Sequence, residues 1–203
     1  MKLLHRPDLY TWAAFDPARN VDFNGYAWVR PAGNLLVDPM PMSTHDLHHL
    51  VSLGGAAWIV VTNSDHTRAT TQLARILGAR IAGPAAERDG FPLACDRWLQ
   101  DGDEVVPGLS ALALDGSKTP GELALLLEGS TLITGDLVRA HRPGTLMVLP
   151  DDKLTDRAAA ARSLRRLAGL PEVETVLVGD GWPLFGEGRA ALARLAASLA
   201  PGG

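Results

Sequence analysis

Three short apolar runs in this chain each end on a small polar cluster that contains aspartate. They are Trp58-Ile-Val-Val-Thr62 running into Asn63-Ser64-Asp65-His66, Thr131-Leu-Ile-Thr-Gly-Asp136, and Thr175-Val-Leu-Val-Gly-Asp180. Each run is short, β-branched and bounded by turn formers, so each reads as a buried strand. Loops that leave the carboxyl ends of buried strands are where α/β folds gather their sites. Three carboxylates delivered to one point would demand a metal ion, a cationic ligand or built-in positive side chains. The plainer reading is that each Asp caps a helix or closes a turn, which accounts for one such residue more easily than for three.

A chain of 203 residues, 46% hydrophobic and 21% charged, has a globular composition and suits one domain, here read as residues 1–203, around a shared core. A formal charge of −4 argues against nucleic acid as a partner, which would call for a basic stripe. No apolar stretch approaches the roughly 20 residues of a membrane span, and the opening Met1-Lys-Leu-Leu-His-Arg-Pro-Asp8 lacks the apolar core of a signal peptide. Cys95 is the single cysteine, so neither an internal disulfide nor a thiolate cluster can form. These features read together as a cytoplasmic protein whose partner is a small-molecule substrate or ligand; a homodimer stays open.

The first 40 residues predict a β-meander, with Tyr10–Phe15, Tyr26–Arg30 and Asn34–Asp38 separated by Asn, Gly and Pro. Ser43 or Thr44 would cap a helix over Asp46–Leu53, and a second helix is expected over about Thr67–Leu77 before a short strand at Ala79–Ala82. Between Asp101 and Asp136 the pattern returns to hairpins at Glu104–Val106, Leu109–Leu114, Leu123–Leu127 and Thr131–Thr134. A helix capped by Thr155 or Asp156 runs to Leu170, the strand Thr175–Val178 follows, and a last helix covers about Glu187–Leu199. Each half passes from a meander into α/β alternation. That predicts an α/β (α+β) fold, a four-layer αββα sandwich of two mixed β-sheets.

The order of Leu35-Leu-Val-Asp38, Val61-Thr-Asn-Ser-Asp-His66, Lys118-Thr-Pro-Gly121, Leu132-Ile-Thr-Gly-Asp136 and Val178-Gly-Asp-Gly181 resembles the metallo-β-lactamase fold superfamily over nearly the whole chain. The resemblance implies the αββα fold, a metal site at one edge and mostly hydrolytic chemistry. The family's main motif is Thr-His-x-His-x-Asp-His, and almost every ligand in it is altered here. Anchored on Thr62, its four ligand positions become Asn63, Asp65, Thr67 and Arg68. The histidine before Thr-Pro-Gly becomes Lys118, and the late Gly-His-Gly becomes Gly179-Asp180-Gly181. Asp136 alone stands as the family has it. A second register, pairing Asp65-His66 with the motif's closing Asp-His, rescues two ligands but displaces the Thr by two residues.

Two readings of this altered site follow. In one, Asp65, His66, Asp136 and Asp180 hold a single divalent cation (Mg, Mn, Fe or Zn) that activates water, since oxygen donors with one imidazole suit harder ions than zinc. In the other no cofactor binds, and Lys118 and Arg68 pair with Asp65, Asp136 and Asp180 in a metal-free relic or a pocket for a small polar ligand. Asn63 and Trp182 would line the site in either case. His45, His48 and His49 read as surface residues of a helix. The loop at Gly179–Pro183 lacks the spacing of a phosphate loop. Without a Gly-x-Ser-x-Gly elbow, or a clear His partner for Cys95, a serine or cysteine nucleophile is not expected.

Overall fold

The computed structural model describes residues 1–199, and the chain divides into two compact units, Met1–Trp98 and a second beginning at Leu99. In the first unit, strands β1 (Lys2–Leu3), β2 (Leu9–Asp16), β3 (Val21–Trp28), β4 (Leu35–Val37), β5 (Trp58–Val60), β6 (Arg80–Pro84) and β7 (Arg97–Leu99) form one sheet in chain order. The meander is antiparallel as far as β4, and β4, β5 and β6 are parallel. Asp16 turns the β2–β3 hairpin by accepting the amide of Ala18 at 2.9 Å. Helix α1 (Thr44–Ser52) starts where the Ser43 hydroxyl accepts the Asp46 amide at 3.1 Å, the N-cap chemistry expected of serine.

Helix α2 (Thr70–Leu77) starts later than the sequence predicted. Residues Ser64–His66 form a single 3₁₀ turn instead, and Arg68 takes a left-handed backbone with φ of +38°, which interrupts an α-helix. The strand expected over Trp58–Thr62 ends at Val60, because Thr62 gives its amide to the Asp38 side chain. Leu50 of α1 and Leu73 of α2 pack with Leu36, Ile59, Val61 and Trp12 into one apolar core. The helices therefore cover the sheet while the ends of β4 and β5 carry polar residues.

The second unit's sheet runs in the order β14-β11-β10-β9-β8, from β8 (Glu104–Val106), β9 (Leu109–Leu114), β10 (Glu122–Leu127), β11 (Thr131–Thr134) and β14 (Thr175–Val178). Strands β11 and β14 are parallel neighbours, Thr134 opposite Val178, so their carboxyl ends emerge side by side. Helices α3 (Arg157–Ala168) and α4 (Gly188–Ser198) pack Leu164, Leu167, Leu192 and Leu195 against Leu132, Val176 and Val178. Asp156 caps α3, its carboxylate accepting the Ala158 and Ala159 amides at 2.8 and 3.0 Å.

One element of this unit is additional to those the sequence predicts: the hairpin of β12 (Val138–Arg142) and β13 (Thr145–Val148). Its first strand, Val-Arg-Ala-His-Arg, is no apolar run. The signal it carries is the alternation of Val138 and Ala140 with polar residues, followed by a Pro143-Gly144 turn and the short apolar run Leu146-Met-Val148. Among the described residues no helix is long and apolar enough to cross a membrane.

Candidate functional site

In the first unit the ends of β4 and β5 meet on Asp38. This buried residue has φ of +45°, a conformation a non-glycine side chain adopts only under constraint. The constraint is visible in its partners. One carboxylate oxygen accepts the Thr62 amide at 2.8 Å. The other accepts the Thr62 hydroxyl at 2.6 Å and lies 2.7 Å from Nδ1 of buried His66. Nδ1 therefore donates. The far ring nitrogen, Nε2, is 3.2 Å from Nη2 of Arg68. A guanidinium has only donors, so Nε2 accepts and the ring is the neutral Nδ1–H tautomer, as assigned from its hydrogen bonds. Arg68 is itself held by the carbonyls of Asn24 at 2.7 Å and Asp38 at 3.2 Å, over the ring of Phe23.

The 3₁₀ turn separates neighbours that the sequence treated alike. With three residues per turn, successive side chains point about 120° apart, and here His66 is buried while Asp65 is exposed. Asn63 is buried as the cap of that turn, its side chain accepting the Asp65 amide at 3.0 Å. Glu87, also buried, accepts the Ser64 amide at 3.0 Å and fixes the start of the turn.

In the second unit, Asp136 follows β11 and Asp180 follows β14, and one guanidinium bridges them. Nη2 of Arg139 lies 3.1 Å from Oδ1 of Asp136 and 3.0 Å from Oδ2 of Asp180. All three side chains are largely buried. Arg139 projects from β12, and the backbone ties that strand to the Asp180 loop: the Ala140 amide donates to the Asp180 carbonyl at 3.1 Å and the Trp182 amide to the Ala140 carbonyl at 2.8 Å. Gly181 makes this approach possible. At its φ of +95°, a Cβ would sit 2.1 Å from the Ala140 carbonyl oxygen. The loop after Asp136 is clamped by Glu122, a fully buried carboxylate that accepts the Leu137 amide at 2.9 Å and the Ser117 hydroxyl.

Four charged residues of these clusters lie outside the site predicted from the sequence: Asp38, Glu87, Glu122 and Arg139. Asp38 had a signal, since Leu35-Leu-Val-Asp38 is a fourth apolar run ending on aspartate. Glu122 begins a strand and Arg139 lies within the β12 hairpin, so neither follows the carboxyl end of an apolar run. Lys118 is exposed on the turn before β10. Trp182, expected to line the site, is 57% exposed. His45 and His49 lie on α1, and His49 meets Tyr10 edge to face. Burial and the charge of Asp96 push the Cys95 thiol up to about 11, away from nucleophilic use.

Three atoms of the kind that can ligate a cation stand beside guanidinium groups: His66 Nε2 in the first unit, and Asp136 Oδ1 and Asp180 Oδ2 in the second. Each lies within 3.2 Å of an arginine nitrogen.

A family model described as the Metallo-beta-lactamase superfamily matches residues 1–199. A hydroxyacylglutathione hydrolase from Rhodobacter capsulatus is 32% identical over 160 residues, covering 77% of this chain and 54% of that protein. The chain thus spans about half the length of the curated relatives it matches. Among solved structures, a metallo-beta-lactamase from Pontibacter korlensis aligns with a TM-score of 0.76 at 14% identity, over 97% of each chain. ETHE1 from Myxococcus xanthus aligns with a TM-score of 0.70 at 21% identity, over 93% of this chain and 85% of that one. At such identities the structural likeness speaks for the fold.

Proposed function

Because this chain belongs to the metallo-beta-lactamase superfamily, we propose that it carries an altered form of the superfamily's hydrolytic site in which arginine side chains take the part of the metal ions, and that the site binds a small molecule. One observation carries this reading: an imidazole nitrogen and one oxygen from each of two buried aspartates, all groups that ligate metals, face guanidinium groups, His66 Nε2 that of Arg68 and the Asp136–Asp180 pair that of Arg139. A buried carboxylate or imidazole needs a partner, and a fixed arginine satisfies that need as a metal ion would. The donor set does not fit zinc unless these arginines move. On this reading the family's ligand positions are occupied by Asn63, Asp65, Thr67, Arg68, Lys118, Asp136 and Asp180, with their metal chemistry gone.

The ligand class follows from the curated relatives, which are named hydroxyacylglutathione hydrolases. A hydroxyacyl thioester of glutathione is therefore the first compound to test. Its carboxylates and carbonyl suit guanidinium recognition.

A second reading keeps the metal. Of the four residues read as ligands, Asp65 is exposed and turned from His66, so His66, Asp136 and Asp180 would be left to hold one divalent ion (Mg, Mn, Fe or Zn) for hydrolysis of the same class of substrate. The Asp38–His66 contact of 2.7 Å favours it, because a metal-bound imidazole usually gives its other N–H to a carboxylate.

Protein purified without chelator, assayed for bound metal and for hydroxyacylglutathione hydrolysis with and without added Mg²⁺, Mn²⁺, Fe²⁺ or Zn²⁺, separates the two. The arginine reading expects far less than one ion per chain and no gain in turnover from any metal. A stoichiometric ion with metal-dependent turnover would overturn it in favour of the second.

A further inference from the structure

Three oxygen atoms of the second unit converge on one side chain. Arg139 meets Asp136 Oδ1 at 3.1 Å and Asp180 Oδ2 at 3.0 Å through Nη2, and the Asp136 carbonyl oxygen at 3.4 Å through Nε. The side chains of Arg139, Asp136 and Asp180 are 14%, 7% and 5% exposed. The arrangement is stiff. Glu122 holds the Asp136 loop from behind, the β12 backbone is bonded to the Asp180 loop on either side of Gly181, and β11 and β14 are locked parallel. Two carboxylates facing the same nitrogen repel each other when no cation stands between them, and burial strengthens that repulsion. The backbone thus presents an oxygen cluster of fixed shape with a demand for positive charge, and Arg139 meets the demand from within the chain.

We propose that Arg139 acts as a built-in cation that keeps metal ions off the Asp136–Asp180 pair, and that removing its charge converts the three oxygens into a site for a hard divalent cation. The proposal rests on the metal-free reading above and adds the residue responsible. Oxygen donors alone select ions such as Mn²⁺ or Mg²⁺ over zinc, which prefers imidazole and thiolate. Methionine is the informative replacement, since it keeps much of the volume and flexibility of the arginine stem without its charge. Lysine is the control that keeps the charge.

Mn²⁺ is the probe. Its binding is read from the loss of the free-ion paramagnetic resonance signal, and its effect on the fold from the thermal midpoint. Wild type and Arg139→Lys are expected to leave the signal and the midpoint unchanged. Arg139→Met is expected to take up one Mn²⁺, with a midpoint rise of about 5–10 °C at roughly a hundredfold excess over the dissociation constant. The gain should vanish in Arg139→Met/Asp180→Asn. If Arg139→Met folds only when Mn²⁺ is present, the proposal is supported, because the ion then replaces the lost charge. If Arg139→Met folds and ignores Mn²⁺, or stays unfolded with it, the proposal fails while a metal-free wild type leaves the wider reading intact. Stoichiometric Mn²⁺ on wild type would instead overturn the metal-free reading and the exclusion with it.

Discussion

A guanidinium donates hydrogen bonds and cannot accept them, and that one-sidedness decides the state of His66 more firmly than its neighbours in sequence do. Asp38 takes the Nδ1 proton and Arg68 covers Nε2, so the ring has no vacant lone pair for another ligand while Arg68 stays in place. His141 lies two residues beyond Arg139 and reports on that arginine's charge. Burial first and the Arg139 charge second hold its imidazole below the usual histidine range, against an opposing pull from Asp180. The folded state therefore binds a proton at His141 less readily than the unfolded chain does. Its contribution to stability is fully present above the ordinary histidine pKa of about 6.5 and is lost as pH falls through that value toward the lower folded one. Followed by NMR, His141 in wild type should titrate below that ordinary value, and in Arg139→Met its midpoint should move upward. A midpoint that stays put would mean that the Arg139 charge does not reach it. Asp136 and Asp180 were legible in the sequence because an aspartate closing a β-branched run is a local pattern. Arg139 was not, because what makes it matter is a pair of acids 3 and 41 positions away.

The hairpin of β12 and β13 is the element that turns two loop acids into a charged cluster, and its glycines divide the labour. Gly181 has no room for a side chain, with the Ala140 carbonyl 2.1 Å from a would-be Cβ, whereas Gly144 at the hairpin turn has φ of +72° and nothing within 4 Å. Gly181→Ala should cost about 3 kcal/mol or more, combining backbone strain with a steric clash that displaces β12. Gly144→Ala should cost only about 1–2 kcal/mol, the penalty of a left-handed alanine. Chemical denaturation of both variants checks the contrast, and equal losses would mean that the close approach at Gly181 is relieved at little cost. The strands that are easy to read in the sequence are those whose residues are all buried and mostly aliphatic or β-branched, such as Thr131–Thr134 and Thr175–Val178. The strand β12 was hard to read because only Val138 and Ala140 of its five residues are buried. Likewise the start of α2 was misplaced because apolar periodicity does not reveal a single 3₁₀ turn followed by a left-handed residue.

At the scale of the molecule, each unit has its own mixed sheet, its own two helices and its own apolar core. Architecture of this kind is carried by many weak and redundant signals along the chain. The additional hairpin and the displaced helix start therefore did not obscure the fold class, although both bore on the site. Because Asp136 and Asp180 are partnered by Arg139, the stability of this protein should not depend on a bound ion. Thermal unfolding with and without EDTA is expected to give the same midpoint, and a drop of several degrees on chelation would show that an ion is part of the native state. The bridge from Arg139 to Asp136 and Asp180 has one more consequence. A charge built into the polypeptide is made with the chain, once per molecule, so it requires no delivery step, cannot be outcompeted by a tighter-binding element and does not wash away on dilution. A protein arranged in this way would have its site filled from the moment it folds, whatever the metal supply around it.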